Sequence, residues 1–356
     1  MAASAATLLD EWRERIAAAL NSRRPLRLRA GGTKDFYGEA LEGEVLELAG
    51  WRGIVHYEPS ELVLTARCGT PLTEIETTLA AQRQFLAFEP PAFGAATTIG
   101  GVIAAGLSGP RRAFAGAARD FVLGTRLLSA QGEHLRFGGE VMKNVAGFDV
   151  SRLLCGSLGI LGIITEVSLK VLPRPRAEET LRLELPAAAA IASFNRWAAT
   201  PLPVSGAAWW QGCAWVRLSG AAPAVQAACA QLGGERLGAA EAQTFWDALR
   251  HCQLPPFRHK VLWRVSVPSV SAPLDVPGEP LIDWGGALRW HADPPPEASV
   301  RELAQAAGGS ALLWHGSPAQ RRFHPLSAAV QRLHTHLKAQ FDPQGIFNPG
   351  RLLPGL

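Results

Sequence analysis

Residues 88–110 read FEPPAFGAATTIGGVIAAGLSGP. From 90 to 110 there is no charge, and the apolar residues recur at neither the helical nor the strand period. A non-periodic run of this length inside a compact domain is ordinarily disordered or functional. Disorder does not suit it, because it lacks charge and holds Phe93, Ile99, Val102, Ile103 and Leu107. What remains is an ordered loop of Gly, Ala, Thr and Ser, whose small side chains let backbone N–H groups come close to a neighbour.

Four small-residue loops occupy the N-terminal half: Gly31-Gly32-Thr33-Lys34, Thr97-Thr98-Ile99-Gly100-Gly101, Gly106-Leu107-Ser108-Gly109 and Gly156-Ser157-Leu158-Gly159. None is a G-x-G-x-x-G opening a helix, so a Rossmann site is a poor reading. Gly32-Thr33-Lys34 lacks the P-loop frame. Gly106-x-Ser108-Gly109 is one residue short of a nucleophile elbow, with Pro110 where a helix should start. Any one such loop reads as a turn. Together they read as a wrap around a large, flat, phosphorylated ligand, with backbone N–H groups and hydroxyls against a pyrophosphate.

The chain of 356 residues carries 35 bases, 30 of them Arg and 5 Lys, against 31 acids, for a net charge of +4. At 47% hydrophobic and 19% charged residues it is neither disordered nor, with aperiodic Gly, collagenous. Its length allows one large or two moderate domains. The basic excess is spread evenly, 20 bases to 18 acids in residues 1–176 and 15 to 13 in 177–356, so no nucleic-acid footprint exists. The five Cys, at 68, 155, 213, 229 and 252, have no C-x-x-C spacing and cannot supply a four-thiolate iron–sulfur or zinc site. They suit a reducing cytoplasm, and no metal is expected. The N-terminus, with Leu9, Trp12, Ile16, Ala19 and Leu20 at helical spacing between charges, reads as a surface helix rather than a signal peptide. The uncharged stretches 90–110 and 197–216 are both broken by Pro and Gly, so no transmembrane segment is expected.

Outward from the quoted run, the periodicity predicts short strands over 25–50 and 54–68. It then predicts a helix to about 84, with Thr70 as N-cap and Pro71 at its first position. A hairpin turning at Gln131-Gly132 and a long strand near 164–172 follow. Pro173-Arg174-Pro175-Arg176 marks a boundary. Residues 177–340 alternate strands with Ala-rich helices at 187–199, 221–232, 239–250 and 297–307, which predicts an antiparallel sheet with helices on one face. Nine of the eleven Trp lie there, the makings of an aromatic core. A last helix, about 326–340, presents Val330, Leu333, Leu337 and Phe341 on one stripe, and an extended tail, IFNPGRLLPGL, follows.

The order GGT, CGTPLTEIE, EPPAFGAATTIGG, GLSGPRRAFAGAARDFVLGTRLL, VMKNVAGFDVSRLLCGSLGILGIITEVSLKVLPRP resembles the FAD-binding domain of the vanillyl-alcohol oxidase family. RDFVLGTRLL, RFGGEVMKNVAG and LIDWGGALRW resemble, within it, the FAD-binding subunits of bacterial glycolate oxidase. The ending FDPQGIFNPGRL resembles the wider family's C-terminal signature. The resemblance spans essentially the whole chain. It implies an α+β fold with a two-subdomain FAD-binding domain over 1–176, a smaller cap with an antiparallel sheet over 177–340, and a segment 341–356 returning to the first domain.

It also implies roles. Arg29, Gly31, Gly32, Thr33 and Lys34 would form the first pyrophosphate loop. Thr97, Thr98, Gly100 and Gly101, with Gly106, Ser108, Gly109 and Arg112, would form its second wall. Gly156, Ser157, Gly159 and Ile164 would lie along the adenosine, and Asn348 and Arg351 near the flavin ring. Many relatives attach FAD through a His in the first loop; none is near Gly32 here, so non-covalent FAD is expected. The implied partners are a paralogous FAD-binding glycolate oxidase subunit, an iron–sulfur subunit and a small 2-hydroxy acid. The implied place is the cytoplasm, with any membrane contact peripheral, at the inner face and made through the complex.

A reduced flavin needs a nearby cation, for which Arg351 and Lys143 are the candidates. A 2-hydroxy acid needs a carboxylate clamp and a base, for which Arg289 and His291 are the best local pair. The histidine-rich motif of related hydroxy-acid dehydrogenases is missing. Trp314-His315-Gly316-Ser317 is its nearest remnant, and His334 and His336 point to different faces of a helix. Three readings stay open: an accessory flavoprotein subunit of a glycolate-oxidising complex, a self-sufficient 2-hydroxy-acid dehydrogenase, and a non-catalytic FAD-binding scaffold.

Overall fold

The computed structural model describes residues 5–140, 148–293, 297–317 and 319–356. Lys143 lies outside the described residues. The predicted N-terminal helix is Ala5–Ser22. Its Trp12 and Ile16 pack with Leu26, Leu46 and Phe347. Leu26–Arg29 pairs in parallel with Glu44–Glu47, and Phe347 bridges to Leu26 in the same sense. This first lobe is therefore completed by the C-terminal tail.

The second lobe is an antiparallel sheet which, among the described residues, has five strands in the order Ile54–Glu58, Val63–Arg67, Ile163–Lys170, Val122–Leu128, His134–Gly138. The helices Leu72–Ala81 and Ile99–Ala105 bury Leu72, Ile75, Leu79, Ile99, Val102 and Ile103 against its Leu64, Val167 and Leu169. The first of these helices begins differently from the expectation. Thr70 Oγ1 donates to the Arg67 carbonyl at 2.7 Å and accepts from the Gly53 N–H at 2.9 Å, so it closes the strand end and Pro71 takes the cap position. The non-periodic run proves to be loop on either side of the short helix Ile99–Ala105, which Thr98 caps through the Gly101 N–H (3.3 Å).

The cap carries an antiparallel sheet of eight strands among the described residues. From the middle to one edge it runs Val204–Trp210, Leu281–Asp283, Leu288–Ala292, Leu262–Ser266, Ser310–His315. Helices Ala187–Ala198, Ala222–Leu232 and Glu297–Ala306 cover one face. Helix Ala239–Arg250 departs from the one-face expectation: Phe245, Trp246 and Leu249 pack with Trp290 and with Tyr37 and Leu107 of the N-terminal half. Both faces of this sheet are thus buried, one by helices and one by the rest of the molecule. The α+β architecture is as expected.

The last helix, Ala328–Phe341, uses half of its apolar stripe. Leu337 and Phe341 pack on the core of the second lobe, with Phe341 6.4 Å from Phe137, whereas Val330 and Leu333 are 38% and 67% exposed. Lys338, only 5% exposed, anchors it: Nζ donates to the carbonyls of Ile160 (2.6 Å) and Phe347 (2.8 Å) and to Asp342 Oδ2 (2.6 Å). Among the described residues no helix is long and apolar enough to cross a membrane.

Candidate functional site

Two adjoining pockets between the lobes form one groove and share Leu28, Ala30, Gly101, Ala104, Leu158 and Asn348. Gly31, Gly32, Thr33, Lys34 and Thr98 line one end, with Cys68, Gly100, Gly159 and Ile164 at the other. Backbone approach demands glycine at two points. A Cβ on Gly31 would fall 1.5 Å from the Ala96 carbonyl oxygen, and one on Gly159, whose φ is +75°, would fall 2.8 Å from Asn348 Nδ2.

The C-terminal tail stitches the groove together. Asn348 Oδ1 accepts from the Leu28 N–H (2.8 Å) and its Nδ2 donates to the Leu158 carbonyl (2.7 Å), so one amide joins both walls. Thr33 and Thr97 hydroxyls meet at 3.1 Å. The Arg351 guanidinium donates to the carbonyls of Glu39 (2.6 Å), Lys34 (3.1 Å) and Asp35 (3.0 Å). It is a clamp on the first loop, which departs from its expected place as a cation free to face the ring. Arg29 is likewise engaged, with Nε 2.8 Å from Asp35 Oδ2.

Lys34 differs from both. Its ammonium has no hydrogen bond or acid partner among the described residues, and Nζ lies 5.7 Å from the centroid of the Phe93 ring. Burial alone pushes its pKa down to about 8. Ser157 Oγ is also buried without a partner. An uncompensated ammonium beside glycine backbone, continuing into a trough of Leu28, Leu48, Ile163 and Ile164, fits a dinucleotide with its pyrophosphate at Lys34.

The 106–112 loop does not line this groove. Gly106 packs on Gly156, and Ser108 Oγ accepts from the Ala118 N–H (2.9 Å). The Gly109 carbonyl accepts from Trp284 Nε1 (3.0 Å), tying the loop to the cap. Trp284, from the LIDWGGALRW segment, holds φ at +54°, a strained backbone for a bulky residue. Two guanidiniums rest on its indole, Arg112 at 4.3 Å and Arg264 at 4.9 Å from the ring centroid.

The pair Arg289 and His291 is not brought to this interface. Trp263 lies opposite His291 and Arg264 opposite Trp290. Trp263 packs with Val300 and Ala304 of the outer helix, while Trp290 belongs with Tyr37 and Leu107. Because strand side chains alternate, Arg289 and His291 face away from the groove. Arg289 donates to the backbone carbonyls of Gly286, Ala272 and Ser271. His291 is 2% exposed, has no partner on either nitrogen, and is pushed down to about 4 by burial and then by Arg289. A neutral, closed-off imidazole is not placed to take a proton from a ligand.

Arg264 is the residue local sequence reading missed. It faces a cavity of ≈ 320 Å³ bordered by Tyr37, Ser266, Phe323, His324 and Leu352. Tyr37 lines the groove as well, so it is the wall between the two. Of the remnant and helical histidines, His315 Nδ1 sits 3.2 Å from the His259 carbonyl, His334 borders the Arg264 cavity and His336 is exposed. A separate cleft beyond is already neutralised from within: Glu89 meets Arg111 and Arg217 at 3.0 Å each, Arg111 meets Glu178, and Arg250 meets Glu76.

A family profile described as FAD binding domain matches residues 4–138. The chain is 48% identical over 340 residues to glycolate oxidase subunit GlcE of Escherichia coli (strain K12), covering 95% of each. It is 37% identical over 125 residues to glycolate oxidase subunit GlcD of Bacillus subtilis (strain 168), covering 35% of this chain and 27% of that one. Alkyldihydroxyacetonephosphate synthase shares the fold, with a TM-score of 0.65 at 15% identity over 95% of this chain and 74% of that one.

Proposed function

Because the chain belongs to the FAD-binding family of glycolate oxidase subunit GlcE, we propose that it is the FAD-binding subunit of an assembly oxidising glycolate, or a close 2-hydroxy acid, to the 2-oxo acid. The groove carries this reading: an ammonium without a counter-charge, a glycine backbone that tolerates no Cβ, and a tail that fastens both walls.

FAD, when bound, supplies the hydride acceptor and passes the electrons on. The chain's own residues hold and orient it. Lys34 and the N–H groups of Gly31 and Gly32 take the pyrophosphate; Leu28, Gly159 and Ile164 take the adenosine. Arg351 and Asn348 act through the loops they fasten. A covalent flavin is not expected. No His lies among the groove residues, and Cys68, the cysteine that lines it, has its thiol pushed up to about 12 by burial, far from a thiolate.

In this reading the cofactor unit is residues 1–176 with the tail 341–356. The helix Ala328–Phe341 belongs with that unit rather than with the cap, because Leu337, Lys338 and Phe341 pack there. A GlcD-like FAD subunit and an iron–sulfur subunit complete the assembly in the cytoplasm.

The test is purification of the tagged chain from its own cells. FAD released into the supernatant by acid, together with a second flavoprotein and an iron–sulfur protein in the eluate, is the expected result. A chain that carries no flavin and brings down neither partner would sink the reading.

A further inference from the structure

Arg264 occupies an unusual position for an arginine. It sits on the Leu262–Ser266 strand of the cap sheet, beside the edge strand Ser310–His315, on the face turned to the N-terminal half. Among the described residues its guanidinium has no hydrogen bond and no ion pair, only the faces of Trp284 at 4.9 Å and Trp290 at 5.8 Å. Burial pulls its pKa down; Tyr37, Cys252 and the buried Asp283 push it back through space, but none of them is bonded to it. Arg264 is half-buried, and the arginines buried more deeply are paired. Arg217 has Glu89, Arg289 has three carbonyls, and Arg301 donates to the carbonyls of Ala311, Phe323 and Arg321. A desolvated, unpaired guanidinium is costly to fold and is retained where it meets an anion that comes and goes.

The surroundings say what kind of anion. The cavity, ≈ 320 Å³, is at the lower end of small-molecule sites. Beside Arg264 it presents the hydroxyls of Tyr37 and Ser266, neither with a side-chain hydrogen bond among the described residues. It also presents His324, whose Nδ1 accepts from the Ala311 N–H at 3.3 Å and leaves Nε2 unengaged. Ser310 and His334 border it too, and Phe323, Leu326 and Leu352 are its apolar side. A planar carboxylate matches the guanidinium fork, and an α-oxygen on the same ligand matches a neighbouring hydroxyl.

We infer that this cavity is a carboxylate site belonging to this chain itself, with Arg264 as the anchor and Tyr37 and Ser266 as hydroxyl partners, for a small 2-hydroxy or 2-oxo acid. The inference rests on the flavin reading for the meaning of the ligand, but its binding chemistry does not require it. Tyr37 borders both the cavity and the dinucleotide groove, which sets an acid held here on the far side of one ring from the cofactor.

The test is calorimetric titration of the FAD-containing chain with oxalate, a small acid that cannot be oxidised as a hydroxy acid. The wild type is expected to bind one oxalate. Arg264→Lys, which keeps the charge but loses the fork, is expected to bind about 10-fold more weakly, and Arg264→Gln about 100-fold. Flavin content should be unchanged in both. No heat of binding in the wild type overturns the inference. So does unchanged oxalate affinity in Arg264→Gln, including the case where that variant moves only the flavin's reduction potential, because the guanidinium then serves the cofactor. Should the Arg264 variants not fold, Tyr37→Phe and Ser266→Ala decide: several-fold weakening in either supports the site, and none in both removes it. Flavin content in the same samples separates the two readings. Oxalate binding without FAD sinks the proposed function alone, and FAD without oxalate binding sinks this inference alone.

Discussion

The groove and the cavity lie on either side of Tyr37 and are built by opposite rules. In the groove most polar side chains are already engaged with the protein: Asn348 with both walls, Arg351 with three carbonyls, Arg29 with Asp35, and Thr33 with Thr97. What is left for a ligand is backbone, plus Lys34. In the cavity the backbone is tied up in sheet pairing, and the side chains of Arg264, Tyr37 and Ser266 are the ones left over. A ligand that stays is held by the shape of the chain. A ligand that exchanges is met by groups that hold nothing else. Damage to the groove should therefore act on folding and cofactor together, and damage to the cavity on the ligand alone.

The hardest test of that contrast is Lys338→Met. It leaves the 1%-exposed Asp342 without its cation and frees the Ile160 and Phe347 carbonyls. We expect a loss of about 3–5 kcal/mol in urea unfolding, with FAD lost alongside. A stable variant that kept its flavin would break the claim that the tail holds the groove.

Gly31→Ala comes next. Its methyl would meet the Ala96 carbonyl head-on, so the loop must shift. About 1–3 kcal/mol of stability should go, with at least about tenfold weaker FAD retention on dialysis.

Lys34 sharpens the electrostatic side. Its pKa in the folded apo chain is lowered to about 8, below that of an unfolded lysine. The unfolded chain therefore holds more protons between about 8 and the ordinary lysine value, and apo stability rises with pH across that window. A pyrophosphate beside Lys34 favours the ammonium, so binding FAD takes up a proton. Affinity should fall as pH rises from 7 to 9, and Lys34→Met should weaken binding about tenfold and flatten that slope. Fluorescence titration of apo chain with FAD reads both.

The smallest effect is expected at His291→Leu. A buried imidazole with no hydrogen bonds loses little when replaced by an apolar side chain, within about 1 kcal/mol in urea unfolding, and flavin content should not change.

The groove was largely legible in the sequence because its signal is compositional. Gly31, Gly100 and Gly159 announce close backbone approach before any contact is known, and the run 88–110 shows by its lack of period that it serves something other than regular structure. The cavity was not legible, for a physical reason. In a strand with one wet face, alternation tells inside from outside. Here both faces of the sheet are buried, so Arg264, Trp290, Arg289 and His291 all sit on apolar strands with nothing local to say which face meets the cofactor. Only the packing of Trp263 on one side and Trp290 on the other decides it. Lys338 was hidden differently: it reads as the polar neighbour of a helical stripe, and its three acceptors come from residues 160, 342 and 347.

The hydrogen bond from Leu28 to Asn348 spans 320 residues of sequence. At ordinary rates of synthesis, the first wall waits roughly 15–60 s on the ribosome before the residue that fastens it has been made. Until then Leu28 and Leu158 lack their common tie, and Lys34 faces an open trough. Cofactor loading must therefore wait until Asn348 has left the exit tunnel. A slow codon, a chaperone or a shortage of flavin would act on a chain whose first 347 residues surround an unfinished seam.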